Sequence, residues 1–302
     1  MTLDPSCLEY PNRRRGMDHD LYDWSCILDR NVPAWPSGKP VAAAVLVSLE
    51  WFPILPEDNP FRAPGHMQTA YPDYRHYTSR EYGTRVGFYR FLDAFNSHGV
   101  KASIAVNSAI AERYPSIISD IVSEGHEIIA HGRDMNDVIA TGIAEDEERR
   151  IIDESLETLE RISGTRPRGW MSIARSQSFN TPGLLKAAGI EYMCDWVNDD
   201  LPYAFRSGFG EILSIPYNHE LSDRQIITVQ QHSAESYVEQ MKDACDWLAS
   251  EKVPRILPLH VTPYILGLPY RMAAFEELLG WLSKREDTEF LTASGLAMPY
   301  LS

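Results

Sequence analysis

A carboxylate, two histidines and an arginine stand where short apolar runs of this chain end, and those residue types suffice to hydrolyse an amide. Glu50 follows VAAAVLVSL, His131 follows EIIA and His260 closes RILPLH, while Asn107, Arg175 and Asp195 end three further runs. Cutting a C–N bond with water needs a base for the water, donors for the developing oxyanion and an acid for the leaving nitrogen. Glu50 is the candidate base, and His131 and His260 are the candidates to deliver the proton or polarise the carbonyl. Arg175, beside Ser176 and Gln177, carries a planar fork that suits an anionic or ureido group. Trp51 and Phe52, next to Glu50, narrow the space for a small or flat substrate.

Each residue also has a plainer reading. Glu50 could be a solvated loop carboxylate, and a lone histidine is more often a hydrogen-bonded core residue. His126 precedes its strand and reads as a turn cap. Arg85 with Glu81 is equally an ion pair holding a helix start, and Asp199 and Asp200 either line a pocket or cap a loop.

The elements that must position these groups alternate along the chain. Residues 1–40 are rich in Pro, Arg and Asp without sustained periodicity and read as an irregular arm. The rest, 41–302, shows no composition break and reads as one domain. Val41–Leu49 is branched and apolar on both faces, as a buried parallel strand is. The segment from Trp51 to Thr78 holds five prolines, and a connection of that length is usually functional. Helical spacing then follows over Glu81–His98, Tyr114–Glu124, Asp146–Ser163, Thr181–Ala188 (capped by Asn180 or Thr181), Ala234–Ser250 and Arg271–Ser283. Strand runs lie between, at Lys101–Val106, Glu127–Ala130, Gly169–Ile173, Tyr192–Trp196, Ile212–Pro216, Arg255–His260 and Glu289–Thr292. Such alternation predicts an α/β fold on a parallel sheet, open or closed. Right-handed crossovers put the strand C-termini, and so the polar residues, at one face.

Composition removes several function classes. The 302 residues carry 28 Lys and Arg against 43 Asp and Glu, a net charge of −15. That surface repels phosphate backbones and anionic headgroups, so neither nucleic acid nor membrane is an expected partner. Arg13, Arg14 and Arg15 read as a solvated tail. The cysteines (Cys7, Cys26, Cys194, Cys245) show no C-x-x-C spacing and indicate neither a zinc knuckle nor a redox pair. No run reaches membrane-span length and the N-terminus lacks an apolar export core, so the expected compartment is the cytoplasm.

Several motifs occur in a familiar order. Glu81-Tyr82-Gly83-Thr84-Arg85-Val86-Gly87 with Arg90 and Leu92-Asp93 resembles the E-Y-G-x-R-x-G segment of allantoinase-like polysaccharide deacetylases. Gly125-His126-Glu127-Ile128 with His131-Gly132 resembles the G-H-E strand of the whole polysaccharide deacetylase (NodB-like) superfamily, and Arg166-Pro167-x-Gly169-Trp170 resembles the motif after it. Asp195-x-x-x-Asp199-Asp200-Leu201-Pro202-Tyr203, Ile215-Pro216-Tyr217 and Leu259-His260 with Gly267-x-Pro269-x-Arg271 are similar to the branch without a metal cofactor. The resemblance runs from about residue 40 to the C-terminus. It implies a distorted seven-stranded (β/α) barrel, hydrolysis of non-peptide C–N bonds and a homo-oligomer. The substrate-binding candidates are then Trp51, Arg85, Arg175, Asp199 and Tyr217.

Metal-dependent members use a T-F-D-D motif and an H-x-x-x-H pair, whose ligands leave one position open for an attacking water. This chain reads Ser48-Leu49-Glu50-Trp51-Phe52 and His131-Gly132-Arg133-Asp134-Met135 instead. One carboxylate is missing and a soft thioether replaces the second histidine, which suits neither zinc nor magnesium. No metal is therefore favoured; a divalent ion such as zinc would have to use Glu50, His131 and Asp134. Three functions stay open: an amidohydrolase of a small cyclic amide or ureide, a metal-dependent deacetylase of an N-acetyl carbohydrate, and a barrel that binds a small molecule without chemistry.

Overall fold

Val41–Leu49 (β1) is buried along its whole length, as a strand covered on both faces must be. The computed structural model of the protein describes residues 17–54 and 72–301. Cys7, Arg13–Arg15 and most of the proline-rich segment after Trp51 lie outside the described residues. The other strands are Ser103–Val106 (β2), Glu127–Ala130 (β3), Gly169–Trp170 (β4), Tyr192–Met193 (β5), Tyr203–Ser207 (β6), Gly210–Ser214 (β7), Arg255–Val261 (β8) and Thr288–Phe290 (β9). They hydrogen-bond in the order β6-β7-β5-β4-β3-β2-β1-β8, with β9 beside the start of β1. Eight strands, β1 to β5 with β7, β8 and β9, run parallel; β6 pairs antiparallel with β7. The sheet curls into a distorted (β/α) barrel whose ladder does not continue from β7 to β8.

The helices are Tyr74–Tyr82 (α1), Phe88–His98 (α2), Ser108–Arg113 (α3), Pro115–Ser123 (α4), Glu145–Ser163 (α5), Thr181–Ala187 (α6), Ala234–Ser250 (α7), Pro269–Ser283 (α8) and Ala293–Leu301 (α9). Among the described residues none is long and apolar enough to cross a membrane. The expected helix over 81–98 starts earlier, because the Asp73 side chain accepts from His76 N at 2.9 Å and caps α1. A π turn, Gly83–Gly87, joins α1 to α2. At Gly87 a Cβ would lie 2.1 Å from the Pro263 carbonyl, so glycine permits the close contact with the loop after β8. Neither expected cap of α6 forms: Asn180 makes no capping bond, and Thr181 Oγ1 accepts from Ser178 N and donates to the buried Glu148.

Period-two alternation divides the core. Val41, Ala43, Val45, Val47 and Leu49 pack outward with the helices. Ala42, Ala44 and Leu46 pack on the concave side with Ala105, Ile129, Met171, Tyr192, Cys194, Ile215 and Ile256. Trp35 of the arm and Ala293, Leu296 and Ala297 of α9 join this inner cluster. Further up the arm, Tyr22 packs against Trp196, Tyr203 and Phe205, and Arg206 pairs with Asp23.

Candidate active site

The alternation that buries Leu46, Ile129 and Ile256 inside carries Ser48, Glu50, His131 and His260 to the same concave face at the strand C-termini. Glu50 is nearly fully buried there. Its Oε1 accepts from Arg224 Nη2 at 2.6 Å and its Oε2 from the Tyr264 hydroxyl at 2.6 Å. Burial works to lower the Arg224 pKa, but Glu50, Tyr264 and Asp223 together outweigh it and the net shift is upward. Arg80, only 1% exposed, lies over the Phe52 and Tyr264 rings, 5.4 Å from each centroid. Arg224 lies over Tyr264 at 5.6 Å.

His131 donates from Nδ1 to the Met171 carbonyl at 2.6 Å. That bond fixes the tautomer and leaves Nε2 a buried lone pair without a partner among the described residues. Burial lowers the His131 pKa below its usual 6.5, against the raising effect of the Met171 bond and Glu50. Asn107 holds the strand ends in place, donating to the His131 carbonyl and accepting from Trp51 N at 2.8 Å.

His260 uses both ring nitrogens. A guanidinium only donates, so Arg175 Nη2 donates to Nδ1 at 3.1 Å and the Nε2 hydrogen goes to Ser48 Oγ at 2.6 Å. Burial, then Arg175 and Arg224, push its pKa well below the usual range. Arg175 reaches this place through two successive left-handed residues, Ala174 at φ 54° and Arg175 at φ 55°. Such backbone costs about 1–3 kcal/mol per residue and persists only where its surroundings enforce it. Burial pushes the Arg175 pKa down to about 10, against the pull of Asp195.

Two buried carboxyls brace the mouth from behind. Asp195 accepts from Ser172 N at 2.6 Å, Ser172 Oγ at 2.9 Å and Gln177 Nε2 at 2.6 Å. Burial still pushes its pKa up to about 6. Asp223 accepts from Thr262 N at 2.7 Å and Thr262 Oγ1 at 3.2 Å, and burial pushes it up to about 7. A raised folded pKa contributes stability that is complete below the unfolded value and lost as pH rises through the folded one. Between pH 5 and pH 8 the Asp223 pKa of about 7 therefore removes roughly 3 kcal/mol from the wild type, at about 1.4 kcal/mol per pH unit. The Asp223→Asn variant escapes that loss. Urea melts of both proteins at pH 5 and pH 8 measure the difference, and parallel losses would contradict the assignment.

Among the described residues the donors do not assemble a three-ligand metal site. Both Glu50 oxygens are engaged, and Asp134 Oδ1 accepts from Asn136 N at 2.9 Å within its own turn. Met135 is 1% exposed in the hydrophobic core and donates its N–H to the Trp51 carbonyl. Among the described residues no group of three His, Cys, Asp or Glu side chains could hold an ion.

Comparison with known proteins agrees with this architecture. Residues 80–193 match the polysaccharide deacetylase family model. Over that stretch the chain is similar to the polysaccharide deacetylases. A probable polysaccharide deacetylase from Pseudomonas aeruginosa PAO1 superposes with a TM-score of 0.79 at 26% identity, covering 89% of this chain and 94% of that one. Puue allantoinase superposes with a TM-score of 0.77 at 24% identity, covering 97% of both chains, a likeness of fold. A putative polysaccharide deacetylase of Schizosaccharomyces pombe is 23% identical over 73% of this chain and 74% of its own. The NodB-like barrel expected from the motifs is the fold observed. Deacetylases of this superfamily usually use a divalent metal, and the donor set of this domain departs from that pattern.

Of the residues singled out in the sequence, the fold brings Glu50, His131, His260 and Arg175 into one mouth. Tyr217 lies fully buried beneath it, its hydroxyl without a partner among the described residues. Trp51 forms part of the wall, against Tyr77, Tyr114 and the Arg113 guanidinium. Arg85 stays outside: its side chain is 71% exposed, 3.7 Å from Glu81. Asp199 also stays outside, paired with Arg30 at 2.7 Å and accepting from the Asp200 and Leu201 amides. Sequence reasoning missed Arg80, Arg224, Tyr264 and the half-buried His219, whose pKa is lowered by burial and by Arg175. Of these, Arg80 and Tyr264 flank motifs already noted, whereas Arg224 and His219 lie in stretches without periodicity.

Proposed function

We propose that this domain hydrolyses a non-peptide C–N bond, opening a small cyclic amide or ureide with side chains doing the work usually given to a metal-bound water. The observation that carries this reading is the buried His131 Nε2, a free lone pair on a neutral ring. In this reading His131 is the base, because both Glu50 oxygens already accept hydrogen bonds. Nε2 takes a proton from water, and the water oxygen forms a bond to the carbonyl carbon. The carbonyl oxygen, now negative, accepts from Arg175 Nη1, which has no other partner among the described residues. As the C–N bond breaks, His131 returns the proton to the departing ring nitrogen. His260 holds Arg175 in place and Glu50 holds Arg224.

The test is metal analysis of the purified protein beside turnover of cyclic amides, cyclic ureides and N-acetyl sugars, each with and without chelator. Ring opening that survives chelation is the expected result. Stoichiometric zinc with chelator-sensitive acetate release would replace this reading with a metal-dependent deacetylase. Absence of turnover on every substrate would favour a binding barrel.

A further inference from the structure

The mouth holds more buried cationic hydrogen-bond capacity than its own groups use. Among the described residues Arg80 Nε, Arg80 Nη2 and Arg224 Nη1 are buried and without an acceptor. Among the described residues only one carboxylate, Glu50, is bonded to either arginine, through Arg224 Nη2. Asp195 and Asp223 accept from Ser172, Gln177 and Thr262 instead. Leaving buried guanidinium donors unmet is costly, and natural structures do so rarely outside functional sites. It is the more notable in a chain of net charge −15, which has carboxylates to spare.

The unmet atoms also have a shape. Nε–H and Nη2–H of one guanidinium point to the same side, 1% exposed in Arg80, and form the fork that receives a planar carboxylate through two parallel bonds. Phe52 and Tyr264, whose rings meet edge to face with centroids 6.3 Å apart, both lie against that guanidinium and hold it in place. Arg224 adjoins through the same Tyr264 ring. A neutral amide oxygen would leave most of these donors unmet, whereas a carboxylate offers lone pairs and charge to both arginines.

We infer that the substrate carries a carboxylate beside the bond to be cut, received by the Nε/Nη2 edge of Arg80 with Arg224 Nη1 alongside. The inference rests on the hydrolase reading for its reacting ring, but binding alone tests it. Calorimetric titration of the purified protein with hydantoin-5-acetate, dihydroorotate and 2-pyrrolidone-5-carboxylate is compared with titration of their methyl esters. The acids are expected to bind about 10- to 100-fold tighter than the esters, the range for a charge-assisted pair. Arg80→Gln and Arg80→Lys are both expected to erase most of that preference while ester affinity stays within about threefold. Equal affinity for acid and ester, or no binding of any acid, overturns the inference. The wild-type comparison decides the matter even where a variant fails to fold. Hydrolysis is scored separately, so an acid that binds but is not cut counts against the hydrolase reading alone.

Discussion

His131→Gln is expected to lower kcat by about 10³-fold with little change in KM, within the range by which a positioned base accelerates proton transfer. The side chain contributes one thing that glutamine cannot: a basic lone pair at Nε2, held by the Nδ1 bond to the Met171 carbonyl. Glutamine preserves polarity and most of the volume, so a collapse of the barrel is not the expected cause of the loss. The pH profile separates the two explanations. Because burial lowers the His131 pKa below 6.5, the neutral, active form persists through that pH on the way down. Wild-type kcat is therefore expected to stay level through pH 6.5 and to fall only at lower pH. An acidic limb centred above 6.5 would sink the assignment of His131 as the base.

Glu50→Gln is expected to cost about 3–5 kcal/mol of stability as well as activity, because it strands a buried arginine. The Glu50 side chain is 3% exposed and that of Arg224 11%, so solvent does little to replace the lost carboxylate. Glutamine can still accept from Tyr264, which confines the damage to the charge. Replacing both partners by neutral groups leaves no stranded ion, and a buried pair exchanged in this way is often neutral or better. The Glu50→Gln, Arg224→Met double variant should thus return to within about 1 kcal/mol of wild type in urea melts while remaining inactive. Full stability in the single variant would mean that the pair is solvated; activity in the double variant would remove both residues from the site.

Much of this molecule is legible in the chain. The strands at 41–49 and 127–130 and the helix at 234–250 lie where their patterns place them, because apolar runs and helical spacing are properties of neighbouring residues. The ends of the apolar runs placed Glu50, His131 and His260 at one face of the sheet. Elements without such a pattern were missed: α3 is six residues long, and β6 is drawn into the sheet by the turn that leads to β7. The expected strand from Gly169 to Ile173 stops at Trp170, where the chain turns toward the left-handed pair that presents Arg175.

The amino-acid sequence by itself determined the parallel α/β sheet, the face on which chemistry would gather and the absence of a second histidine in the motif at 131–135. Those follow from residue type and short-range spacing. Which groups are charged, engaged or free was decided only by the tertiary structure. Arg224 and Tyr264 reach Glu50 across 174 and 214 residues of chain, and the Met171 carbonyl selects the His131 tautomer across 40. Ionisation, tautomer and hydrogen-bond capacity depend on neighbours in space and on burial, which no local pattern of residues encodes.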